Sequence, residues 1–390
     1  MLKTYKYRIY PTKEQSENID SQMFHCGMLY NKMLKQRNDL YKNKWVSISK
    51  YTQFNQLPLI KDNKEVYKNI HSQVLQKTLW RLDTSFKNFF RRVKKWEKPW
   101  FPRFQKPSRY NTLEYPQTWF SFVYKKEDKG IKQENTKQDE TPKKIKISKL
   151  WEVKIKQHRD LPEHAKIKTL SVTKNLTGKY FVTLVVETED KIVVHPKKDN
   201  QVWIDLWINY LLTLSNWEQI DNPKHIKKAE RKLEKSQKSL SRKKKWSKNR
   251  NKQRLILAKN HEKLTNSRTD HLHKITKNLT DNYGLIVLED LNIKWMVKNH
   301  NLAKSISDAS WGRLLTLLQY KAESAGSVIE LVDPKYTSQD CYNCGKRVKK
   351  TLATRIHKCT CWYKEDRDIN ASKNILKKGL NQLQEVKIKS

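Results

Sequence analysis

Glycine is scarce in this chain of 390 residues. It has 8 glycines, whereas average usage of about 7% would give about 27. Tryptophan is abundant instead, with 13 residues. Glycine supplies the left-handed backbone conformations that many tight turns and helix ends require. The sequence therefore either makes its turns with other residues or carries tryptophan where a glycine belongs.

Long apolar runs are absent as well. No stretch approaches the roughly 20 apolar residues of a membrane-spanning helix, and the first residues, with Lys3, Lys6 and Arg8, lead into no apolar signal segment. Five cysteines in a chain of this length favour metal binding or free thiols over a disulfide framework. We expect a protein of the reducing cytoplasm that is not associated with a membrane.

Acidic residues are few relative to basic ones. Asp and Glu total 40 against 82 Lys and Arg, a formal charge of +42. Such a charge repels itself unless a polyanion neutralises it. Nucleic acid fits best, since phosphate contacts release counterions, although membrane surfaces and acidic proteins are alternatives. A ribosomal or histone-like protein would share this composition, so charge indicates the partner class and not the chemistry.

The first hundred residues predict a strand and two main helices. Leu2–Tyr10 is rich in aromatic and β-branched residues and predicts a strand. The spacing of Thr12 and Gln15 matches a capping box that opens a helix. Apolar residues recur at spacings of three and four from Leu75 to Val93, which predicts an amphipathic helix. Its basic flank, including Arg91 and Arg92, is either a solvated face or a surface for nucleic acid.

The remaining chain alternates between strand-like and helical patterns. Short β-like runs extend from Trp100 to about Lys198, interrupted by a polar loop from Lys125 to about Lys144. A helical hairpin is predicted between Pro223 and Tyr283, with a cationic tip. The tip residues proposed to contact nucleic acid are Arg242, Lys243, Lys244, Lys245 and Arg250. Two buried strands, Leu285–Leu288 and Ser327–Val332, a cysteine module, and a last helix over about 370–380 follow.

Four cysteines are spaced as ligands of one structural zinc ion. They form two close pairs, Cys341 with Cys344 and Cys359 with Cys361. Tetrahedral zinc needs two such knuckles joined by a short loop. Gly345 permits a tight turn directly after the first pair. His357 is an alternative ligand if one cysteine is out of reach, and Cys26 is expected to be a small buried side chain.

Three acidic residues occupy positions suited to a catalytic metal site. Asp205 lies in an otherwise apolar strand, and Glu289 ends another. Asp368 lies at the start of the last helix, where an acid is favoured by the helix dipole. An acid in an apolar strand is costly unless it is paired or bound to metal. Convergence of the three on two Mg²⁺ ions would suit phosphodiester hydrolysis. Asp368 taken alone is better explained as an N-cap, and Asp290 and Asp366 are alternatives to their neighbours.

Several motifs resemble one protein family. Tyr5–Thr12, Ala303–Gly312, Asp333–Gln339 and Asp366–Ala371 closely resemble the TnpB (OrfB) proteins of insertion sequences, in the family order. TnpB proteins are relatives and presumed ancestors of type V CRISPR effectors. The resemblance extends from the first residues to about Leu380.

The resemblance implies a fold and a domain order. It implies a multidomain α+β protein in which a β-barrel wedge domain is interrupted by a helical recognition domain. An RNase H-like (RuvC) α/β nuclease domain with an inserted zinc-binding module follows. The expected ranges are 1–17 and 100–198 for the wedge, 18–99 for recognition, 199–333 and 365–380 for RuvC, 334–364 for the zinc module, and 381–390 for a tail.

The resemblance also implies an activity. Family members bind a guide RNA transcribed from the transposon end, recognise a short motif beside the target and cut double-stranded DNA. Asp205, Glu289 and Asp368 match the family's catalytic acids, which would hold two Mg²⁺ ions. We expect one chain per guide RNA, with a dimer as the alternative. Rival functions are a nucleic-acid binder that does not cleave, and a transposase that joins strands with the same acids.

Tryptophan stands at several positions where the family pattern has glycine. The hypothesis is that the gene uses UGA for glycine and was translated with a table that reads UGA as tryptophan. The alternative is genuine divergence, with the aromatic rings stacking on bases. Trp311, by contrast, matches a family tryptophan. The suspect residues are Trp203, Trp207, Trp217, Trp246, Trp295 and Trp362, and Trp96 and Trp100 bracket a similar turn-like stretch.

Overall fold

The chain divides into two compact units, Met1–Asp190 and Lys191–Ser390. The computed structural model describes residues 2–116, 119–124, 143–162, 165–188, 194–206, 210–216, 218–350, 354 and 356–389. Most of the predicted polar loop, together with Trp207 and Trp217, lies outside these residues. Each unit is described by itself.

The first unit contains a seven-stranded antiparallel sheet of order β2-β6-β7-β1-β5-β4-β3. The predicted first strand is confirmed and lies at its centre, with Tyr5, Tyr7 and Ile9 pointing into the core in strict alternation. This alternation explains why an aromatic, β-branched run folds here as a strand. The strands are β1 Leu2–Tyr10, β2 Thr112–Pro116, β3 Phe120–Val123, β4 Lys144–Ile147, β5 Trp151–Lys156, β6 Lys166–Lys174 and β7 Tyr180–Glu187.

The helices of the first unit pack into the same hydrophobic core as its sheet. The capping box at Thr12 and Gln15 is confirmed, with both reciprocal hydrogen bonds present. The predicted amphipathic helix is also confirmed, and it buries Leu75, Leu79 and Leu82. Cys26 is fully buried in this core, as expected. The helices are α1 Lys13–Lys44, α2 Lys50–Phe54, α3 Leu57–Asn63, α4 Glu65–Lys68 and α5 Ser72–Lys94.

The second unit is built on a mixed five-stranded sheet of order β10-β9-β8-β11-β12. Strand β8 is antiparallel to β9 and parallel to β11, and β11 is parallel to β12. The direction of pairing therefore changes at β8. The strands are β8 Gln201–Leu206, β9 Tyr210–Leu214, β10 Gln219–Asp221, β11 Leu285–Glu289 and β12 Val328–Val332, and a separate hairpin is formed by β13 Ile356–Lys358 and β14 Lys364–Asp366.

Helices cover both faces of this sheet. One face packs against the helices that contain Leu272 and Leu314, and the other against Ile375. The predicted helical hairpin is confirmed as α6 and α7, whereas the last helix begins at Arg367 and is longer than predicted. The helices are α6 His225–Ser241, α7 Lys248–Asn282, α8 Ile293–Met296, α9 His300–Ala309, α10 Trp311–Ala325 and α11 Arg367–Lys389.

The family motif Ala303–Gly312 has a structural role in this unit. Asp308 accepts a hydrogen bond from Nε of Arg268 at 3.0 Å and forms an ion pair with Nη2 of the same guanidinium at 2.9 Å, which fastens α9 to α7. Trp311 is buried at the start of α10. This motif therefore contributes to the core of the second unit.

Tryptophan adopts the left-handed backbone conformation repeatedly. Nine described residues other than glycine have positive φ, and five of them are tryptophan, although tryptophan is 13 of 390 residues. The left-handed conformation destabilises a residue that has a Cβ atom by about 1–2 kcal/mol. The five are Trp45 (φ 54°), Trp96 (φ 54°), Trp151 (φ 60°), Trp246 (φ 72°) and Trp362 (φ 68°).

Two suspect tryptophans do not show this strain. Trp203 is buried in β8 among Val287, Val332 and Ile375, and Trp295 lies in the short helix α8. Neither has positive φ. Conversely, Trp45 and Trp151 adopt positive φ without having been suspected from the sequence.

Within the described ranges, no helix combines the length and the apolar composition needed to cross a membrane.

Candidate metal centres

Asp205 and Glu289 lie side by side on adjacent parallel strands. The register pairs Leu288 with Ile204, so Glu289 and Asp205 are the next residues along β11 and β8. Neighbouring strands lie about 4.8 Å apart. Both acids therefore occupy the carboxyl edge of the sheet. Asp205 lies on β8, the strand at which the pairing direction changes, and Glu289 lies on the adjacent strand β11. Ligands of open α/β sheets bind at such an edge.

The two acids share the face of the sheet that α11 covers. Side chains alternate along a strand, and Trp203 and Val287, each two residues earlier, pack with Ile375 of α11. At Gly379 the helix approaches so closely that a Cβ atom would lie 2.7 Å from Cγ1 of Val287. The acids consequently point toward the layer that contains α11.

Asp368 occupies the first turn of α11. It lies seven residues before Ile375, which is close to two helical turns, so both positions fall on one stripe of the helix. The structure does not describe the Asp368 side chain. It brings Asp205 and Glu289 together, and the role of Asp368 stays a prediction.

Glu289 is largely buried, and the burial raises its pKa above the ordinary glutamate value. Two neighbours oppose this rise. The Thr337 hydroxyl donates to Oε1 of Glu289 at 2.9 Å, and the positive charge of Lys378 also lowers the pKa of this carboxyl. A buried carboxylate with a raised pKa is a group that gains from a bound cation.

Thr337, Asn374 and Lys378 were not identified from the sequence. Thr337 is 48 residues from Glu289 along the chain, and no periodic pattern connects them. The only sequence signal is position, because Thr337 lies in the family motif Asp333–Gln339 and Asn374 follows the motif Asp366–Ala371.

The four predicted zinc ligands converge. The Sγ atoms of Cys341, Cys344, Cys359 and Cys361 all lie within 4.8 Å of one another. Sγ of Cys341 is 3.7 Å from that of Cys361, and Sγ of Cys344 is 3.5 Å from that of Cys359. A tetrahedral site with Zn–S bonds of about 2.3 Å separates its sulfurs by about 3.8 Å. The cluster therefore has the size and donor set of a structural zinc site.

Backbone amides favour the thiolate form in the second knuckle. The N–H of Tyr363 lowers the pKa of the Cys361 thiol to about 6, and the N–H of Cys361 lowers the pKa of Cys359. Thiolates are the form that binds zinc. With four sulfurs in place, the alternative ligand His357 is not required, and its buried ring packs against Tyr363 at 6.1 Å between centroids.

The basic candidates divide into exposed and structural residues. Arg242–Lys245 are exposed in the turn between α6 and α7. Arg250 instead donates to the carbonyls of Leu240 and Lys243 at 2.7 and 3.0 Å, so its guanidinium shapes the turn. At the end of α5, Arg91 is exposed and Arg92 half-buried.

Three regions of the chain match known families, and the matches define a class of transposase-related proteins. Residues 183–300 match a family described as "Probable transposase", and residues 311–375 match the "Cas12f1-like, TNB domain". Residues 1–44 match a "Helix-turn-helix domain"; here that range folds as one strand and one long helix.

Two full-length relatives narrow this class to one family. A Streptomyces pristinaespiralis protein named "Putative RNA-guided DNA endonuclease" is 34% identical over 386 residues, which cover 97% of this chain and 89% of the relative. InsQ of Escherichia coli K12, which has the same designation, is 29% identical over 401 residues, covering 97% and 92%. The chain belongs to the TnpB (OrfB-type) family of insertion-sequence proteins.

Solved structures give a weaker likeness. A structure titled "Structure of the mini-RNA-guided endonuclease CRISPR-Cas_phi3" is 10% identical and covers 97% of this chain and 92% of its own, with a TM-score of 0.48. That score is too low to define a shared fold.

The cysteine cluster generates a prediction about metal content. The purified protein is expected to contain one zinc ion per chain. Cys344→Ser is expected to lose the zinc and to lower Tm, because the remaining three thiolates give zinc an incomplete set of ligands. Elemental analysis and thermal unfolding measure both quantities. Cys26→Ala is the matched control and should keep the zinc. A full zinc content in Cys344→Ser would refute the four-cysteine site.

The burial of Glu289 generates a prediction about stability. A raised carboxyl pKa means that the folded state binds the proton more tightly than the unfolded state, so ionisation at neutral pH costs stability. Glu289→Gln should therefore raise Tm of the Mg²⁺-free protein by a few degrees at pH 7. The gain should vanish below about pH 4, where the wild-type carboxyl is protonated in both states.

Exposed Glu323 on α10 provides the control. Glu323→Gln should leave Tm unchanged at both pH values. A Glu289→Gln variant that is less stable than the wild type at pH 7 would contradict the burial argument.

Proposed function

We propose that this protein is an RNA-guided DNA endonuclease that hydrolyses phosphodiester bonds at a site formed by Asp205, Glu289 and Asp368. One observation carries the proposal: Asp205 and Glu289 are adjacent at the carboxyl edge of the sheet, on the face covered by the helix that begins beside Asp368. Family membership supports it, because two full-length relatives are named for this activity.

The carboxylates would hold two Mg²⁺ ions, which supply an activated water and stabilise the leaving oxygen. The chain's own residues prepare the site. Strand pairing fixes the separation of Asp205 and Glu289, Thr337 holds one oxygen of Glu289, and Glu289 is largely buried. These features reduce the rearrangement needed when metal and phosphate bind.

The domain assignment is part of the proposal. The five-stranded sheet with its helices, 199–333 and 365–380, would be the RuvC-like nuclease domain, and 334–364 would be its zinc-binding module. Residues 1–17 and 100–198 would form the wedge domain and 18–99 the recognition domain, all of them in the first unit except 191–198, which belong to the second. The antiparallel sheet and the long helices α1 and α5 supply the elements that this division requires.

The proposed partners are a guide RNA and double-stranded target DNA. A charge of +42 requires a large polyanion. The exposed lysines and arginine of 242–245 are placed to contact phosphates, and their contacts would be insensitive to sequence. Sequence choice would then rest on base pairing between guide and target.

Cleavage of a plasmid library tests the function. The library carries one target beside randomised flanks, and the protein is expressed with its transposon-end RNA and assayed with Mg²⁺. Guide-dependent cuts beside a single flanking motif are expected, and Asp205→Ala should reduce cutting at least about 1,000-fold, because the site would lose one of its three metal-binding carboxylates. The assay is run on the chain as written and on a version with glycine at the suspect tryptophans.

Asp281→Ala is the matched control, since Asp281 is an exposed residue of α7 that forms an ion pair with Lys277 in the same helix. It should cleave as the wild type does. RNA binding without any cut in either version would favour the rival function of a binder that does not cleave. Guide-independent joining of transposon ends would favour the transposase.

A further inference from the structure

Helix α11 holds the segment that leads into the first zinc knuckle. Nδ2 of Asn374 donates to the carbonyls of Thr337 and Asp340 at 3.0 and 2.7 Å. Nδ2 of Asn370 donates to the same Asp340 carbonyl at 2.7 Å, and its Oδ1 accepts from the N–H of Tyr342 at 3.0 Å. Nζ of Lys378 donates to the Lys335 carbonyl at 2.8 Å.

The three donors form one stripe of the helix. Asn370, Asn374 and Lys378 are spaced by four residues, so they lie one above another. This stripe is about a quarter turn from the one that contains Ile375 and Gly379 and packs on the sheet. The helix thus holds the segment Lys335–Tyr342 along one side and the sheet along another.

Thr337 connects that segment to the candidate catalytic strand. Its hydroxyl has one proton and two acceptors, the Pro334 carbonyl at 3.0 Å and Oε1 of Glu289 at 2.9 Å. An ionised carboxylate is the stronger acceptor, so the proton points to Glu289 when that group is charged. Thr337, Asn370 and Asn374 are all buried, which makes an unmade hydrogen bond costly at each of them.

We propose that Thr337 is a positioning residue for Glu289, and that Asn370 and Asn374 set its place by fixing the segment before Cys341 to α11. The inference rests on the proposed function, in that Glu289 binds the metal. It assigns the segment Lys335–Tyr342, which leads into the cysteine module, a role in the carboxylate site. The expected consequence is that metal affinity at the carboxylates depends on a residue that does not itself bind metal.

Thr337→Val tests this proposal, because valine keeps the shape and loses the donor. Partners of metal ligands usually change affinity or activity by about 10–100-fold when removed. We expect the cleavage rate at low Mg²⁺ to fall by that factor, with partial recovery at high Mg²⁺ and unchanged binding of guide RNA. Thr337→Ser should restore most of the rate.

Two further measurements keep the test independent of folding and of turnover. Tm and zinc content of Thr337→Val show whether the variant is folded, and titration with Mn²⁺ as a substitute for Mg²⁺ measures metal binding without cleavage. Mn²⁺ should bind more weakly to Thr337→Val than to the wild type. Thr316→Val is the matched control, since Thr316 is exposed on α10 and its hydroxyl donates to the Gly312 carbonyl of the same helix.

The outcomes separate this inference from the proposed function. Equal Mg²⁺ and Mn²⁺ dependence in Thr337→Val and wild type, with cleavage lost in Asp205→Ala, overturns the positioning role alone. A wild type that never cleaves overturns the proposed function; weaker Mn²⁺ binding by its Thr337→Val variant would still support the positioning role.

The left-handed tryptophans carry a second inference independently. Trp362 follows the second knuckle as Gly345 follows the first. The two residues have φ of 68° and 77°, and each donates its N–H to the carbonyl of the first cysteine of its pair, at 3.1 and 2.8 Å. Trp96 ends α5 in a Schellman arrangement, in which the N–H of Glu97 donates to the Arg92 carbonyl at 3.0 Å. Glycine is the usual residue at both kinds of position.

The side chains of four of these tryptophans bury little apolar surface in return for the strain. Trp45, Trp96, Trp246 and Trp362 are between 80% and 98% exposed. A tryptophan in a left-handed turn has a strained backbone, and an indole that is this exposed buries little apolar surface to offset the strain. Trp311 is the contrasting case, since it is buried and has an ordinary helical position.

We infer that the natural chain has glycine at the four exposed positions and at Trp151, through UGA codons read as glycine. The gene should then show UGA at these five codons and UGG at Trp311. Peptide mass spectrometry of the protein from its native host should find glycine at each. UGG codons at the five positions would end the inference.

Stability offers a separate check. A version with Trp45→Gly, Trp96→Gly, Trp246→Gly and Trp362→Gly should have a Tm higher by roughly 10 °C, since each relieved left-handed residue is worth a few degrees in a chain of this size. Trp311→Gly is the control and should lower Tm, because it empties a buried site. An unchanged or lower Tm in the four-glycine version would count against the inference.

Discussion

The parallel pairing of β8 with β11 is the constraint on which the candidate site depends. Asp205 and Glu289 are neighbours only because Leu285 starts opposite Gln201, and a slip of one residue would send one acid to the opposite face. Close backbone contact at the start of β11 fixes that register. A Cβ atom on Gly284 would lie 2.5 Å from Cα of Lys198, and the Gly284 N–H donates to the Asn200 carbonyl at 2.9 Å. Gly284 therefore stands where the neighbouring backbone leaves no room for a side chain.

Charge sets two opposing demands on this fold. The chain as a whole must attract phosphates, and its 82 basic residues do so. The proposed cleavage site would instead have to concentrate negative charge to bind cations. Burial separates the two demands, because Glu289 is shielded from solvent while Arg242–Lys245 are exposed. Lys378 is a basic residue that acts on the candidate acidic site. Its ammonium donates to the Lys335 carbonyl, and its positive charge lowers the pKa of Glu289.

The sequence predicted the parts of this molecule that local patterns encode. Alternation identified β1, the spacing of Thr12 and Gln15 identified the start of α1, and the cysteine pairs identified their cluster. It did not predict Thr337 or Asn374, because their roles depend on contacts across 37 and 48 residues of chain. Trp45 was missed for a related reason. Its positive φ follows from where α1 ends, and helix ends are the least certain part of a periodic pattern.

The short connections at both ends of the cysteine module explain why a structural metal matters to the carboxylates. Thr337 precedes Cys341 by four residues, and Cys361 precedes Arg367, the first residue of α11, by six. Strand β14 fills most of the second connection and is paired with β13 in register, so that connection has little slack. A zinc ion that held the four sulfurs together would therefore restrain both Thr337, which bonds Glu289, and the helix turn that contains Asp368. Loss of the zinc should loosen Glu289 and Asp368 at once, even though neither of these acids is one of its proposed ligands.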